Sequence, residues 1–498
     1  MSNAMETFSN LTANSIPTSL ITEEISGIYG SQLLHELGEL ITLYQQYENG
    51  MEFLTEGSNG DYIPSNLRYQ RSASLINTEA RFLFAKHPDI KVEIPYEAGN
   101  VTAREAAQEA MTVYQHLLDK VIKENGFYSD LLKAAKDCFI GRRVAWFVNF
   151  NEQNERITID FIPSMEFVAE YKEDAPDELK KIVTFYNLND VSSRTEQRIY
   201  KKKYWLENNK CYISETIYDG TGRVVEEVIP PTATLFDFIP AGVIINDGLT
   251  GDVKGRSDLE KLLPYEQTYS RLANADIDAE RKSMNPVTYA IDMNPATTEG
   301  LSSAAGAFWD LQSDPNLSEG NKGNVGRLES TISYSGALDI TLNRILSIMY
   351  DTVDVPNIDL STMTGVLTSG KALKAIYWRL IVKSDEKMLA WKPAIERIAR
   401  IIIDGSRLYP AAASRYLKDQ ILPDLDYNIF VDNQYPLPED EAEEKATDLA
   451  QVQNKTMSIK SYIMKWNNKT SDEADEEILQ ISRERQILED SFLPDTGV

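Results

Sequence analysis

Cysteine and histidine are nearly missing from this 498-residue chain: Cys138 and Cys211 stand alone, and His35, His87 and His116 are the only histidines. Two cysteines outside any C-x-x-C pair argue against a disulfide framework and a thiolate zinc site. The histidines form no H-E-x-x-H and read as surface or packing residues. No G-x-x-x-x-G-K-[ST] is present to cradle a nucleotide phosphate, and no G-x-S-x-G to expose a nucleophilic serine. The run Gly320–Gly326 lacks the strand and helix that would flank a phosphate loop and reads as an ordinary turn. Asp276, Asp278 and Glu280 do not converge on a cation, because positions two apart on a helix do not face each other; they read as a solvated face. The expectation is a protein without catalytic residues, cofactor or metal.

Long apolar runs are also lacking. Nothing approaches the roughly 18 consecutive residues of a membrane span, and no basic-then-apolar leader opens the chain. Synthesis in a reducing cytoplasm is therefore expected. Basic charge is in short supply: 50 Lys and Arg face 77 Asp and Glu, a net charge of -27. Proteins that grip DNA neutralise phosphates with a basic surface, so tight DNA binding over most of this chain is excluded. Two readings remain open at this point: an acidic protein with no nucleic-acid role, and a conduit along which DNA must slide rather than stick.

What the chain does have is helical periodicity interrupted by a β-rich block. Apolar spacing predicts helices over Glu23–Tyr47, Asn66–Phe84, Thr102–Asn125 and Leu131–Ile140, with a short strand at Ile90–Ile94. Between 142 and 245 alternation takes over, with strands expected at Val144–Val148, Arg156–Ile162, Lys181–Tyr186, Arg198–Leu206, Lys210–Tyr218 and Arg223–Val228, and turn signals at Asn208-Asn209 and Asp219–Gly222. A long polar helix at 257–283 opens on Ser257-Asp258-Leu259-Glu260, a capping box. So polar a helix is either exposed or packed against copies of itself. A mixed stretch, 286–332, holds one aromatic pair, Phe308-Trp309. A second helix covers Leu338–Tyr350, and Asp351–Ser369 reads as a loop. The longest helix is expected over Gly370–Asp404, kinked at Pro393 and stopped by Gly405. A strand at Leu425–Val431 and an acidic helical tail from Pro436 follow. Two helices flanking an insertion form a stalk if they pack antiparallel; otherwise the region is an ordinary α+β domain with a loop.

Over roughly residues 60–490 this order resembles the portal proteins of long-tailed bacteriophages. The resemblance lies in Asn66-Leu67-Arg68 running to Pro88-Asp89-Ile90, in Gly141 to Phe161, and in Ile239–Ile244 followed by Gly255-Arg256-Ser257-Asp258. It continues in Val355-Pro356-Asn357 with Ser369–Lys374, and in Met457–Lys460 with Asp472–Glu477. No one of these motifs is specific; their order and spacing are.

The resemblance implies an α+β, phage-portal-like fold, mainly helical, with a β-rich wing, helical stem, mixed clip insertion and helical C-terminal crown. On that pattern 1–256 is the wing, 257–285 and 333–351 the stem, 286–332 the clip, 352–369 the tunnel loop, 370–435 a kinked helix and wing return, and 436–498 the crown. It further implies a homo-oligomeric ring, usually of about twelve subunits, at one vertex of the virion capsid, assembled in the host cytoplasm. The ring would serve as a conduit for double-stranded DNA in packaging and ejection. Its implied partners are the terminase large subunit, head-completion or adaptor proteins, and the major capsid and scaffolding proteins, with no membrane. Candidate channel residues are Asn357, Ser361, Thr362 and Thr364 in the loop, with the cations Arg281, Lys282, Arg344, Lys371 and Lys374; Phe308 and Trp309 are the candidate partner contacts. The rival readings are another ring-forming virion component, such as an adaptor or baseplate subunit, and a DNA-handling enzyme, which would need a nucleotide or metal site.

Overall fold

The computed structural model describes residues 29–50, 64–96, 101–175, 178–188, 196–284, 287–298, 311–316, 323–328, 334–357, 370–418, 420–437, 441–467 and 471–491. The chain forms two compact units, one comprising 1–357 with 379–435 and the other 358–378 with 436–498.

In the larger unit, helices α1 (Tyr29–Asn49) and α2 (Arg71–Phe84) precede strand β1 (Asp89–Glu93), then α3 (Val101–Asn125) and α4 (Phe127–Gly141). Strands β2 (Arg143–Asn151), β3 (Arg156–Pro163), β4 (Phe167–Tyr171), β5 (Leu179–Asn187), β6 (Arg198–Glu207), β7 (Lys210–Asp219), β8 (Val224–Ala233) and β9 (Ala241–Ile245) follow. They make a three-stranded sheet of order β3-β2-β9 and a five-stranded meander β4-β5-β6-β7-β8. Strands fill the block that alternation marked, but β4 and β9 went unread: each is only five residues long, and neither the largely half-buried β4 nor the mostly buried β9 shows clean alternation.

Helix α4 is central. Leu131, Ala134, Ala135, Cys138 and Phe139 are fully buried along one stripe, and the helix packs on α1, α2, β2 and β3. Beside it, Gly242 on β9 lies across from Trp146 on β2. A Cβ at 242 would stand 2.5 Å from the indole ring, so only glycine admits this pairing.

Helix α5 (Asp258–Met284), the hairpin β10 (Val287–Ile291) with β11 (Asn324–Leu328), the short α6 (Pro295–Thr298) between those strands, and α7 (Ser335–Thr352) come next. Gly326, read as part of a turn, lies in β11 opposite Tyr289.

The long helix expected at Gly370–Asp404 is two helices, α8 (Gly370–Ile376) and α9 (Trp378–Leu408). Gly405 does not end α9. It sits within the helix because Phe150 occupies the space a side chain would need, 2.1 Å from a built Cβ. Helix α9 runs through Pro393. After α10 (Pro410–Leu417), β12 (Asn428–Asp432) returns to pair antiparallel with β1, Ile90 opposite Val431.

The smaller unit holds α8 with α11 (Glu441–Gln453), α12 (Ile459–Asn467) and α13 (Ser471–Ser491). Asp448 ties α11 to α12 by accepting from Lys465 Nζ at 2.8 Å and Trp466 Nε1 at 2.9 Å, and Lys460 pairs with Asp475 at 2.7 Å.

Candidate functional site: the α5–α7 hairpin and its anchorage

Helix α5 starts where the capping signal placed it. The Ser257 hydroxyl accepts from the Glu260 backbone N–H at 3.2 Å and donates to the Phe139 carbonyl at 3.2 Å. The reciprocal half of the capping box is not made: Glu260 pairs with Arg142 at 3.0 Å instead.

The polarity of α5 has a cause inside the chain. The helix expected from Asn66 begins only at Arg71, because the preceding segment runs extended along α5 and gives its backbone N–H groups to α5 side chains. Ser65 N–H donates to Asp278 at 2.9 Å and Arg71 N–H to Glu266 at 2.7 Å. Asn274 makes a reciprocal pair with Leu67, accepting its N–H at 2.8 Å and donating to its carbonyl at 3.0 Å. Glu266 therefore caps α2, where an acceptor satisfies an otherwise orphan donor. Burial raises its carboxyl above the ordinary range, and the N–H groups of Arg71 and Ser72 partly offset this. Glu266, Ser270 and Asn274 are buried, so this face of α5 is covered by its own chain, while Pro264, Thr268, Arg271 and Ala275 on its other faces are exposed. Asp278 is likewise no solvated residue.

The base of α5 rests in an ionic node. Asp258 and Glu79 are buried, and the Lys387 ammonium lies 2.6 Å from Asp258 and 3.2 Å from Glu79. Lys383 reaches Glu79 at 2.8 Å, Lys261 reaches Asp258 at 3.1 Å, and Asn246 accepts from Lys387 at 2.7 Å. Burial alone would push the Asp258 carboxyl up; the ammonium groups of Lys387, Lys383 and Lys261 overcome that and hold it well below the usual carboxylate range. Burial would likewise lower Lys387, but Glu79 and Asp258 hold it above its ordinary value. The node joins α2, the end of β9, the head of α5 and α9.

Helix α7 returns against α5. Tyr334 at its head lies beside Asp276 and Glu280 near the tail of α5, so the two helices run antiparallel. Only Met349 of α7 is buried, while Ile340 and Ile348 are exposed at 62% and 39%. Past α7 the chain is not free at once. Arg379 on α9 pairs with Asp351 at 2.7 Å and Asp354 at 2.6 Å, Lys383 donates to the Val353 carbonyl at 3.2 Å, and Val353 and Val355 are buried. The loop read as starting at Asp351 is thus helical to Thr352 and fastened to α9 through Val355. The clamp residue, Arg379, was not singled out in the sequence.

Of the candidate channel residues, Asn357 is exposed at the end of this fastened segment, and Arg344 and Lys374 are exposed on α7 and α8. Arg281 is engaged by its own chain, with Ser65 at 3.3 Å and Asp278 at 3.8 Å. Ser361, Thr362, Thr364, Phe308 and Trp309 lie outside the described residues, as do the side chains of Lys282 and Lys371.

His87 stacks on Tyr128 at 4.3 Å, and His35 pairs with Glu39 on the surface. Among the described residues no group of three or more His, Cys, Asp or Glu is placed to hold a metal ion, and no helix is long and apolar enough to cross a membrane.

Fold and site together define the class: an α+β protein in which a sheet-bearing body carries an antiparallel helical hairpin with a β-hairpin between its helices. The family model for phage portal proteins of the SPP1 Gp6-like type matches residues 29–488, and the chain belongs to that family, a structural and non-enzymatic component of the bacteriophage virion that serves DNA packaging. No curated protein matches it.

Proposed function

We propose that the chain is the ring-forming subunit of a portal vertex, through which double-stranded DNA enters and leaves the capsid. In this reading α5 and α7 form the stem (257–285 and 333–351), with 286–332 as the clip that meets the packaging terminase and later the head-completion proteins. Residues 352–369 form the tunnel loop, 370–435 the wing return, 436–498 the crown, and 1–256 the wing that faces capsid and scaffolding proteins. Host-cytoplasmic assembly and a subunit number near twelve belong to the same reading. An acidic wall suits a conduit, because phosphates that are not neutralised remain mobile.

The observation that carries it is the unfinished packing of the hairpin. An 18-residue helix with one buried residue leaves an apolar face that a single chain does not cover. On α9, Val382 and Leu389 are exposed at 47% and 76%. A heterologous contact that repeats until rotation closes would bury these faces in a ring. The test is Ile340→Glu combined with Leu389→Glu, followed by light scattering. The expected outcome is a shift from a large oligomer towards the 56.3 kDa subunit with the circular dichroism of the native protein retained. Unchanged assembly size contradicts the assignment of these faces.

A further inference from the structure

A cleft of about 1020 Å³ opens in the body between the two sheets and α4, and nothing in the portal reading uses it. Tyr44, Phe147, Phe161, Tyr186 and Tyr200 supply aromatic walls. The cationic groups nearby are largely spoken for: Lys202 is held by Asn149 at 2.8 Å and Glu215 at 3.1 Å, and Lys133 pairs with Asp130 at 2.7 Å. Asp137 is different. Its carboxylate accepts from the Tyr44 hydroxyl at 3.2 Å, but among the described residues no cation lies within ion-pair distance of it. A half-buried carboxylate that makes no ion pair, although Lys136 on the same helix lines the same cleft, is an unfinished arrangement that a complementary charge relieves.

We propose that this cleft docks a segment of another protein that presents an arginine or lysine between apolar residues, the cation meeting Asp137 and the apolar neighbours meeting the aromatic walls. Charge complementarity favours a different protein over a second copy, since this chain is itself strongly acidic, at -27. The proposal is independent of ring assembly.

A pH signature follows. Burial pushes the Asp137 carboxyl up to about 7, only partly offset by Tyr44 and Lys136. The other titratable groups that face it are Tyr44 and Tyr47 from α1 and Lys136 and Cys138 from α4. The phenols and the thiol are raised further above neutrality, and Lys136, lowered by burial, loses rather than gains positive charge as pH rises. Asp137 is neutral below its own titration point and anionic above it, so binding of a cation strengthens with pH, by about tenfold between pH 6 and pH 8.

The experiment uses the full-length assembled protein and two acetylated, amidated peptides, Gly-Phe-Arg-Phe-Gly and Gly-Phe-Glu-Phe-Gly, followed by calorimetry. The expected result is at least tenfold preference for the arginine peptide at pH 8, shrinking towards pH 6, removed by Asp137→Asn and kept by Asp137→Glu. The native pH profile needs no variant, so misfolding of Asp137→Asn cannot hide the answer. Equal affinity for the two peptides, or a pH-independent preference, overturns the proposal. So does binding that appears only after the assembly is dissociated, which would assign the cleft to a neighbouring copy.

Discussion

Gly255 shows how much a single residue at the root of α5 decides. Its φ is +72°, and a Cβ there would lie 2.6 Å from the Arg142 carbonyl oxygen and 2.7 Å from that of Asn246. Backbone strain and collision with two backbone atoms add, so Gly255→Ala is expected to cost at least about 2 kcal/mol and to lower the unfolding midpoint clearly. Gly251→Ala is the control: its φ is +80° with nothing within 4 Å of the built Cβ, so it measures backbone strain alone and should cost less. Equal losses would remove the steric part of the argument. At this scale the sequence was partly legible. Gly255-Arg256-Ser257-Asp258 stood out as a unit, and Ser257 caps as its type and position require. That Glu260 would turn to Arg142, and that Asp258 would be the most enclosed charge at the site, was not visible, because partners more than a hundred positions away leave no local pattern.

At the scale of elements, the ionic node sets how firmly α5 stands on the body. Breaking a buried ion pair by removing one partner leaves an uncompensated charge, at about 3–5 kcal/mol. Lys387→Met should therefore destabilise by roughly 3 kcal/mol, since Lys383 and Lys261 remain near the carboxylates. Adding Glu79→Gln should recover part of that loss, as a double-mutant cycle in chemical denaturation would show. Strict additivity would mean that the two side chains do not interact. The node should hold across neutral pH. Asp258 is depressed, so its contribution is present above its unfolded value near 4 and is lost only as pH falls through its lower folded value. Lys387 is raised, so its share is present below about 10.4 and is lost only as pH rises through its higher folded value. Asp137, outside the node, is a carboxyl that burial pushes up to about 7.

Element boundaries were the least readable feature, for reasons the structure supplies. Periodicity placed a helix from Asn66, but Asp278, Asn274 and Glu266 draw the backbone of 65–71 away from helical pairing. Glycine signalled a stop at 405, but Phe150 makes that glycine a packing residue. The polarity of α5 was legible; its use, to cap and align another segment of the same chain, was not.

For the whole molecule, the sequence held more about architecture than about contacts. Scarcity of cysteine, histidine and nucleotide-binding motifs argued only against other classes, whereas the order β-block, helix, insertion, helix, loop, long helix resembles the portal family, and the family match over 29–488 agrees. Contacts to DNA and partners were the hardest to read: Arg281, proposed for the channel, is already engaged within the chain. The central claim is closure of many copies into a ring, and electron microscopy of the purified full-length protein tests it most directly. The account predicts rings with an axial opening wide enough for a DNA duplex, about 20 Å or more across, built from laterally repeated subunits with the α5–α7 hairpins side by side. Compact particles of single-subunit size, or closed assemblies without an axial hole, would contradict it.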